Sequence, residues 1–136
     1  MREVIVPTVD EMEALGAELA ASAQAGDVFV LTGPLGAGKT AFARGFGAAM
    51  GVMGPITSPT FVISRVHPGS PLNLVHVDAY RLGEHAHLGD LELEEALADS
   101  VVLIEWGAHV VSQLTDSYTT IEIERRADDV RVVHIS

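Results

Sequence analysis

The chain has 136 residues, 48% of them apolar, and this size suits one compact domain with its own core. Its formal net charge of −11 and the lack of any basic block argue against strong, direct binding to nucleic acid. The absence of cysteine excludes disulfides and thiolate metal sites. No apolar run is long enough to span a membrane and the N-terminal stretch does not resemble a signal peptide, so we expect a cytoplasmic protein without membrane contact.

The first half of the chain alternates between predicted strands and helices. Residues 3–7 (EVIVP) are predicted to form a strand. A helix follows from Thr8, which is spaced from Glu11 as in a capping box, to a stop at Gly26. The apolar run 27–33 (DVFVLTG) is typical of a buried parallel strand. A glycine-rich loop comes next, and a further helix is predicted from about Lys39 to Met50.

The second half continues this pattern and ends in a hairpin. We predict strands at 59–67, 72–80 and 101–106, with a helix around 88–98. The tail from residue 118 alternates on both sides of the sequence ADD, which indicates a hairpin. This order predicts an α/β fold in a single domain spanning residues 1–136. The expected architecture is a mainly parallel central sheet, helices on both faces and an antiparallel C-terminal hairpin at the edge.

The glycine-rich loop carries the clearest chemical signal. Gly33, Gly36, Gly38, Lys39 and Thr40 fit the phosphate-binding pattern G-x-x-x-x-G-K-[ST], and Lys39 is the only lysine in the chain. Glycines let backbone N–H groups curl around a phosphate, a lysine reaches the β- and γ-phosphates, and a threonine hydroxyl can bind Mg²⁺. We therefore predict that a nucleoside triphosphate binds to Gly33, Leu35, Gly36, Ala37, Gly38, Lys39, Thr40 and Ala41.

Two carboxylates follow apolar strands at positions where an α/β sheet places its ligands. Glu105 follows VVLI and Asp78 follows LVHV, and a P-loop enzyme needs such a group to hold Mg²⁺ or to position water. Which of the two would bind the metal directly stays open. His76 shares a strand face with Asp78, where it could orient that carboxylate or serve a structural role.

Two further segments have more than one interpretation. In ITSPTF (56–61), Ser58 or Thr60 could approach the γ-phosphate, or the segment could be a proline-bounded turn. Trp106, the only tryptophan, could belong to the core or could cover the nucleotide or a partner surface. His85 and His87 have a spacing that permits metal binding, but exposure in a polar loop explains them better.

Together these motifs resemble the TsaE family. The resemblance rests on LGAGKTAFARG (35–45), TSPTF (57–61), HVDAYRL (76–82) and IEW (104–106), in this order and in a short chain. It implies a cytoplasmic ATPase that uses ATP and Mg²⁺ in tRNA N6-threonylcarbamoyladenosine modification. It also implies action on the TsaB–TsaD heterodimer rather than on tRNA directly.

The resemblance further implies roles for individual residues. It makes Lys39, Asp78 and Glu105 the catalytic residues, and Thr40, Glu105 and Asp78 the metal ligands. Thr60 would lie in a switch-like segment and Trp106 beside the nucleotide. Pro34 and Ala108 stand where the family often has acidic residues, which bears on the partner surface rather than on the phosphate chemistry. The alternatives are a small P-loop metabolite kinase and a non-catalytic nucleotide-binding scaffold.

Overall fold

A computed structural model describes residues 2–34, 36–53, 64–78, 97–106 and 111–136, and elements are numbered within these ranges. The strands are β1 (Arg2–Val6), β2 (Val28–Thr32), β3 (Ser64–His67), β4 (Asn73–Asp78), β5 (Ser100–Glu105), β6 (Thr119–Arg125) and β7 (Arg131–Ile135). The helices are α1 (Val9–Ala21) and α2 (Lys39–Ala49), with a short 3-10 helix at Val111–Gln113. Neither of these two α-helices is long and apolar enough to cross a membrane.

The seven described strands form one sheet in the order β1-β7-β6-β2-β5-β4-β3. The central strands β4, β5, β2 and β6 pair in parallel, and the pairs β3–β4, β6–β7 and β7–β1 are antiparallel. The α/β prediction is therefore confirmed, with a parallel centre and antiparallel flanks. The predicted C-terminal hairpin forms from β6 and β7, but it does not make the edge of the sheet, because β1 pairs with β7 and is the outermost strand.

The two faces of the sheet have different coverings. Both described helices lie on one face, where Phe42, Phe46 and Met12 pack with Leu31 and Leu103 from the central strands. The other face buries a second cluster rich in valine, including Val30 and Val102, against Val111. Most of the helix predicted around 88–98 falls on residues 88–96, which lie outside the described ranges.

Helix α1 begins as the sequence predicts and ends earlier. Thr8 is its N-cap, and the Thr8 hydroxyl accepts a hydrogen bond of 3.2 Å from the Glu11 backbone N–H. The predicted stop at Gly26 is wrong, because the helix ends at Ala21 with Ser22 as its C-cap. Gly26 instead has a φ of +91° in the turn that leads into β2, so its left-handed backbone serves the turn and not the helix end.

Two glycines, one on each helix, allow α1 and α2 to pack closely together. A Cβ at Gly45 would lie 1.9 Å from the Glu13 carbonyl oxygen, and a Cβ at Gly16 would lie 2.2 Å from the Phe42 carbonyl oxygen. Because no side chain fits at either position, the two backbones approach more closely than larger residues would allow. This contact fixes α2, and therefore its first residue Lys39, against α1.

Candidate functional site

The glycine-rich loop runs from the end of β2 into the start of α2. Gly36 and Gly38 have φ values of +78° and +111°, which residues with a side chain rarely adopt. Within the loop, the Ala37 N–H donates a 3.1 Å hydrogen bond to the Pro34 carbonyl. Helix α2 starts at Lys39 with Gly38 as N-cap and no side-chain cap bond. A helix start of this kind presents backbone N–H groups and a positive dipole end to an anion.

The only lysine lies inside this loop. The side chain of Lys39 is buried, and its ammonium donates a 2.7 Å hydrogen bond to the Gly33 carbonyl. Burial lowers the pKa of Lys39 below its usual value, while the negative charges of Glu105 and Asp78 act in the opposite direction. The three predicted catalytic residues, Lys39, Asp78 and Glu105, therefore lie close enough for the two carboxylates to act on the charge of the lysine.

The strand register explains how the two carboxylates meet. Asp78 and Glu105 are register partners in the parallel pair β4–β5, and Glu105 is the partner of Leu31 in the pair β2–β5. Strand side chains alternate between faces, so Glu105 shares the helix-covered face with Leu103, and Asp78 shares it with Leu74. Both carboxylates therefore lie at the C-terminal ends of their strands, on the face of the sheet that α2 covers.

A histidine holds one of these carboxylates. Nε2 of His76 lies 2.6 Å from Oε2 of Glu105, and both side chains are almost fully buried. A carboxylate can only accept, so Nε2 carries the proton of this bond. Nδ1 of His76 is also buried, and no hydrogen-bond partner for it is present in the part of the chain that the structure describes. The sequence suggested that His76 could orient Asp78, whereas the observed bond is to Glu105.

Trp106 covers the lysine. Its ring centroid lies 3.6 Å from the Lys39 ammonium nitrogen, a cation–π contact. Its backbone has a φ of +60°, which is uncommon for a bulky residue, and its N–H donates a 3.3 Å bond to the Leu31 carbonyl. Trp106 is partly buried, and its ring faces the charged side chain of Lys39.

The remaining predicted residues fall into two groups. Thr40 follows Lys39 and is exposed, while Ala37 and Ala41 are buried beneath the loop. Within the described ranges, no cluster of three or more His, Asp or Glu side chains could hold a metal ion. Several positions lie outside these ranges, namely Leu35, Ser58, Thr60, His85, His87 and Ala108.

The sequence did not predict the contact between the β6–β7 hairpin and the glycine-rich loop. Arg131 donates from Nε to the Ala37 carbonyl at 3.1 Å and from a terminal nitrogen to the Gly36 carbonyl at 2.9 Å. A cavity of about 130 Å³ lies nearby, and its lining includes Thr8, Met12, Gly38 and Arg131. No local signal could have revealed this contact, because it joins positions that are far apart in the chain.

These features define the class of protein. It is a mixed α/β domain in which a glycine-rich loop joins a central parallel strand to a helix, with carboxylates at the ends of the neighbouring strands. The family model of threonylcarbamoyl adenosine biosynthesis protein TsaE matches residues 6–133, and the chain belongs to the TsaE family.

Individual relatives agree with this assignment. The chain is 48% identical over 132 residues to the tRNA threonylcarbamoyladenosine biosynthesis protein TsaE of Streptomyces coelicolor, covering 92% of this chain and 89% of the relative. It is 38% identical over 125 residues to the protein of that name from Bacillus subtilis, covering 91% and 78%. The crystal structure of YdiB from Bacillus subtilis superposes with a TM-score of 0.78 at 34% identity, covering 97% of this chain and 82% of that one.

Proposed function

We propose that this protein binds and hydrolyses ATP in a magnesium-dependent reaction. The observation that carries the proposal is the Lys39 ammonium, buried at the mouth of a glycine-rich loop and under the influence of Glu105 and Asp78. A buried cation beside two carboxylates and free helix N–H groups is an arrangement suited to phosphates and a divalent metal.

The proposal includes a Mg²⁺ ion shared between the protein and phosphate. No cluster of three or more His, Asp or Glu side chains among the described residues could hold a metal alone, so the ion would have to complete its shell with phosphate oxygens and water. Thr40, Asp78 and Glu105 are the oxygen donors that would hold it. Bound Mg²⁺ would neutralise charge on the phosphates. Within the protein itself, the bond from His76 fixes one oxygen of Glu105 and so orients that carboxylate.

The cavity next to the loop suits the nucleoside end of ATP. It borders Ala37, Gly38 and Ala41 on one side and the start of α1 on the other. Its volume of about 130 Å³ is below the range typical of pockets that enclose a whole ligand. A site of this size can take one flat ring system, with the phosphates lying along the loop.

The biological setting follows from the family. Its name describes tRNA threonylcarbamoyladenosine biosynthesis, and we propose the same pathway for this chain, in the cytoplasm. The resemblance adds a TsaB–TsaD heterodimer as the partner that this protein acts on. The net charge of −11 supports action through that partner, because strong tRNA binding normally requires a basic surface.

A hydrolysis assay tests the proposal. We expect the protein with Mg²⁺ to release phosphate from ATP slowly when alone and faster with purified TsaB–TsaD, because a group supplied in trans can accelerate P-loop hydrolases by roughly 10³–10⁵-fold. Transfer of phosphate to a metabolite from a panel of small acceptors would instead identify a kinase. ATP binding without any turnover, with or without the heterodimer, would identify a scaffold. A tRNA complex of submicromolar affinity formed by this protein alone would contradict the partner-mediated role.

A further inference from the structure

Arg131 reaches the glycine-rich loop from a strand near the C-terminal end of the chain. It is the first residue of β7, next to the β6–β7 turn, and its guanidinium donates to the carbonyls of Gly36 and Ala37. Its side chain is 20% exposed, whereas those of Arg125 and Arg126 in the same hairpin are 50% and 48% exposed. Of the three hairpin arginines, Arg131 is therefore the least exposed, and it hydrogen-bonds to two loop carbonyls.

The two accepting carbonyls belong to functional peptide units. In a trans peptide, the C=O and the following N–H point in opposite directions. The Gly36 carbonyl therefore shares its unit with the Ala37 N–H, which donates to the Pro34 carbonyl within the loop, and the Ala37 carbonyl shares its unit with the Gly38 N–H. A charged donor on each oxygen polarises its unit, which strengthens the bond from Ala37 to Pro34 inside the loop and makes the Gly38 N–H a better donor to an anion. The fork of the guanidinium also fixes the angle between the two units, which a single point charge could not do.

The β6–β7 turn holds this arginine in place. Asp129 has a φ of +68° in the turn, and its carboxylate lies 3.1 Å from a terminal nitrogen of Arg131. The Arg131 guanidinium also donates to the Asp129 backbone carbonyl. The hydrogen bond from Arg125, together with the charges of Arg125 and Arg131, lowers the pKa of Asp129 below its usual value. The turn therefore supplies a fixed counter-charge behind the guanidinium.

We propose that Arg131 is a positioning residue for the nucleotide phosphates, acting by holding the carbonyls of Gly36 and Ala37 so that the loop N–H groups are preset for binding. The inference rests on the proposed binding of ATP at this loop. It assigns the β6–β7 hairpin a role in phosphate affinity in addition to its place in the sheet.

The test compares Arg131→Gln with Arg126→Gln. Arg126 is a matched control, since it bonds to Asp128 in the same hairpin. We expect Arg131→Gln to weaken the affinity for ATP and Mg²⁺ by about tenfold, the order expected for losing hydrogen bonds from a charged group. Arg126→Gln should leave it unchanged. Arg131→Lys should recover only part of the affinity, because it keeps the charge without the fork.

Hydrogen exchange in the protein without nucleotide gives an independent readout. The Ala37 amide should exchange faster in Arg131→Gln while the core amide of Leu103 keeps its rate, because only the loop is released. Equal acceleration of both amides would show a merely structural role and overturn the inference, as would ATP affinity equal to that of Arg126→Gln.

A second variant decides the matter if Arg131→Gln does not fold. Asp129→Asn suits the left-handed turn, and it removes the negative charge beside Arg131 while keeping the size of a side chain that lines the cavity. It should weaken ATP affinity by roughly threefold. An unchanged affinity there would overturn the inference. A wild-type protein that does not bind ATP would remove the proposed function itself, whereas the exchange experiment would still report on the Arg131 contact.

Discussion

His76 on β4 and Glu105 on β5 are joined by a 2.6 Å hydrogen bond inside the protein, with side-chain exposures of 1% and 5%. The bond crosses from one parallel strand to the next at the end of the sheet where the glycine-rich loop lies. One oxygen of Glu105 is thereby occupied by the histidine, while the negative charge of the same carboxylate still acts on Lys39. The pair therefore links the core of the sheet to the charged end of the loop.

Replacing His76 by leucine should destabilise the protein. The carboxylate of Glu105 would lose a buried donor, and we expect the free energy of unfolding to fall by about 1–3 kcal/mol. Urea denaturation measures this change. His134→Gln is the control, because His134 pairs with the exposed Glu124 and the loss should stay below about 1 kcal/mol. An equal loss of unfolding free energy in both variants would show that the buried bond stabilises the protein no more than the exposed one.

Lys39→Met should abolish productive ATP binding while keeping the fold. Methionine preserves the buried stem, and the loss of the ammonium should weaken affinity by roughly 10- to 100-fold. The fluorescence of Trp106, the only tryptophan, reports binding because its ring lies against the Lys39 ammonium in the unbound protein. Thermal unfolding should show an intact domain, and Lys39→Ala should behave in the same way. Undiminished ATP affinity in a folded variant would contradict the assignment of the loop.

Asp78→Asn and Glu105→Gln should each reduce hydrolysis more than nucleotide affinity. Both groups would act on the metal and water, so we expect turnover to fall by about 100-fold with a much smaller change in affinity. The glutamine oxygen can still accept the bond from His76, so Glu105→Gln should remain folded. We expect the sharper shift in magnesium dependence for Glu105→Gln. Unaltered hydrolysis in both variants would place the site at other strands.

The stability of the protein should fall as the pH drops below 6.5, and His67 should contribute to this loss. Burial first, and then the charges of His76 and Arg65, lower the pKa of His67 below its usual value of 6.5. The unfolded chain then binds more protons between the lowered pKa and 6.5, so protonation favours unfolding in that window. Urea denaturation at about pH 7.5 and pH 5.5 measures how far the free energy of unfolding changes between the two pH values. This change should be smaller for His67→Gln than for the wild type. An identical difference would mean that His67 does not titrate on unfolding.

The sequence predicted the elements with strong local patterns. Thr8 and Glu11 marked the start of α1, the apolar run marked β2, and the loop pattern marked Lys39 as the start of α2. Each of these signals depends on residues close together in the chain. The stop of α1 was misplaced because Gly26 has the residue type of a helix end but serves a turn.

The relationships across the sheet could not be predicted in the same way. Asp78 and Glu105 were placed at strand ends, but their direct register and the choice of Glu105 as the partner of His76 depend on strand order. The hydrogen bonds from Arg131 to the loop carbonyls depend on β6 lying beside β2 and on β7 lying beside β6. Periodicity sets which face a side chain occupies, whereas strand order sets which side chains meet.

The position of β2 has a consequence for the order in which the protein forms. The strand that leads into the loop has β5 on one side and β6 on the other, and both come from Ser100 onward in the chain. Until those late segments are available, β2 has no strand to pair with, and such distant pairings are slow to form because a long loop must close first. During synthesis, the glycine-rich loop therefore emerges well before the strands that support it, and the proposed nucleotide site would be completed only after those strands have paired with β2.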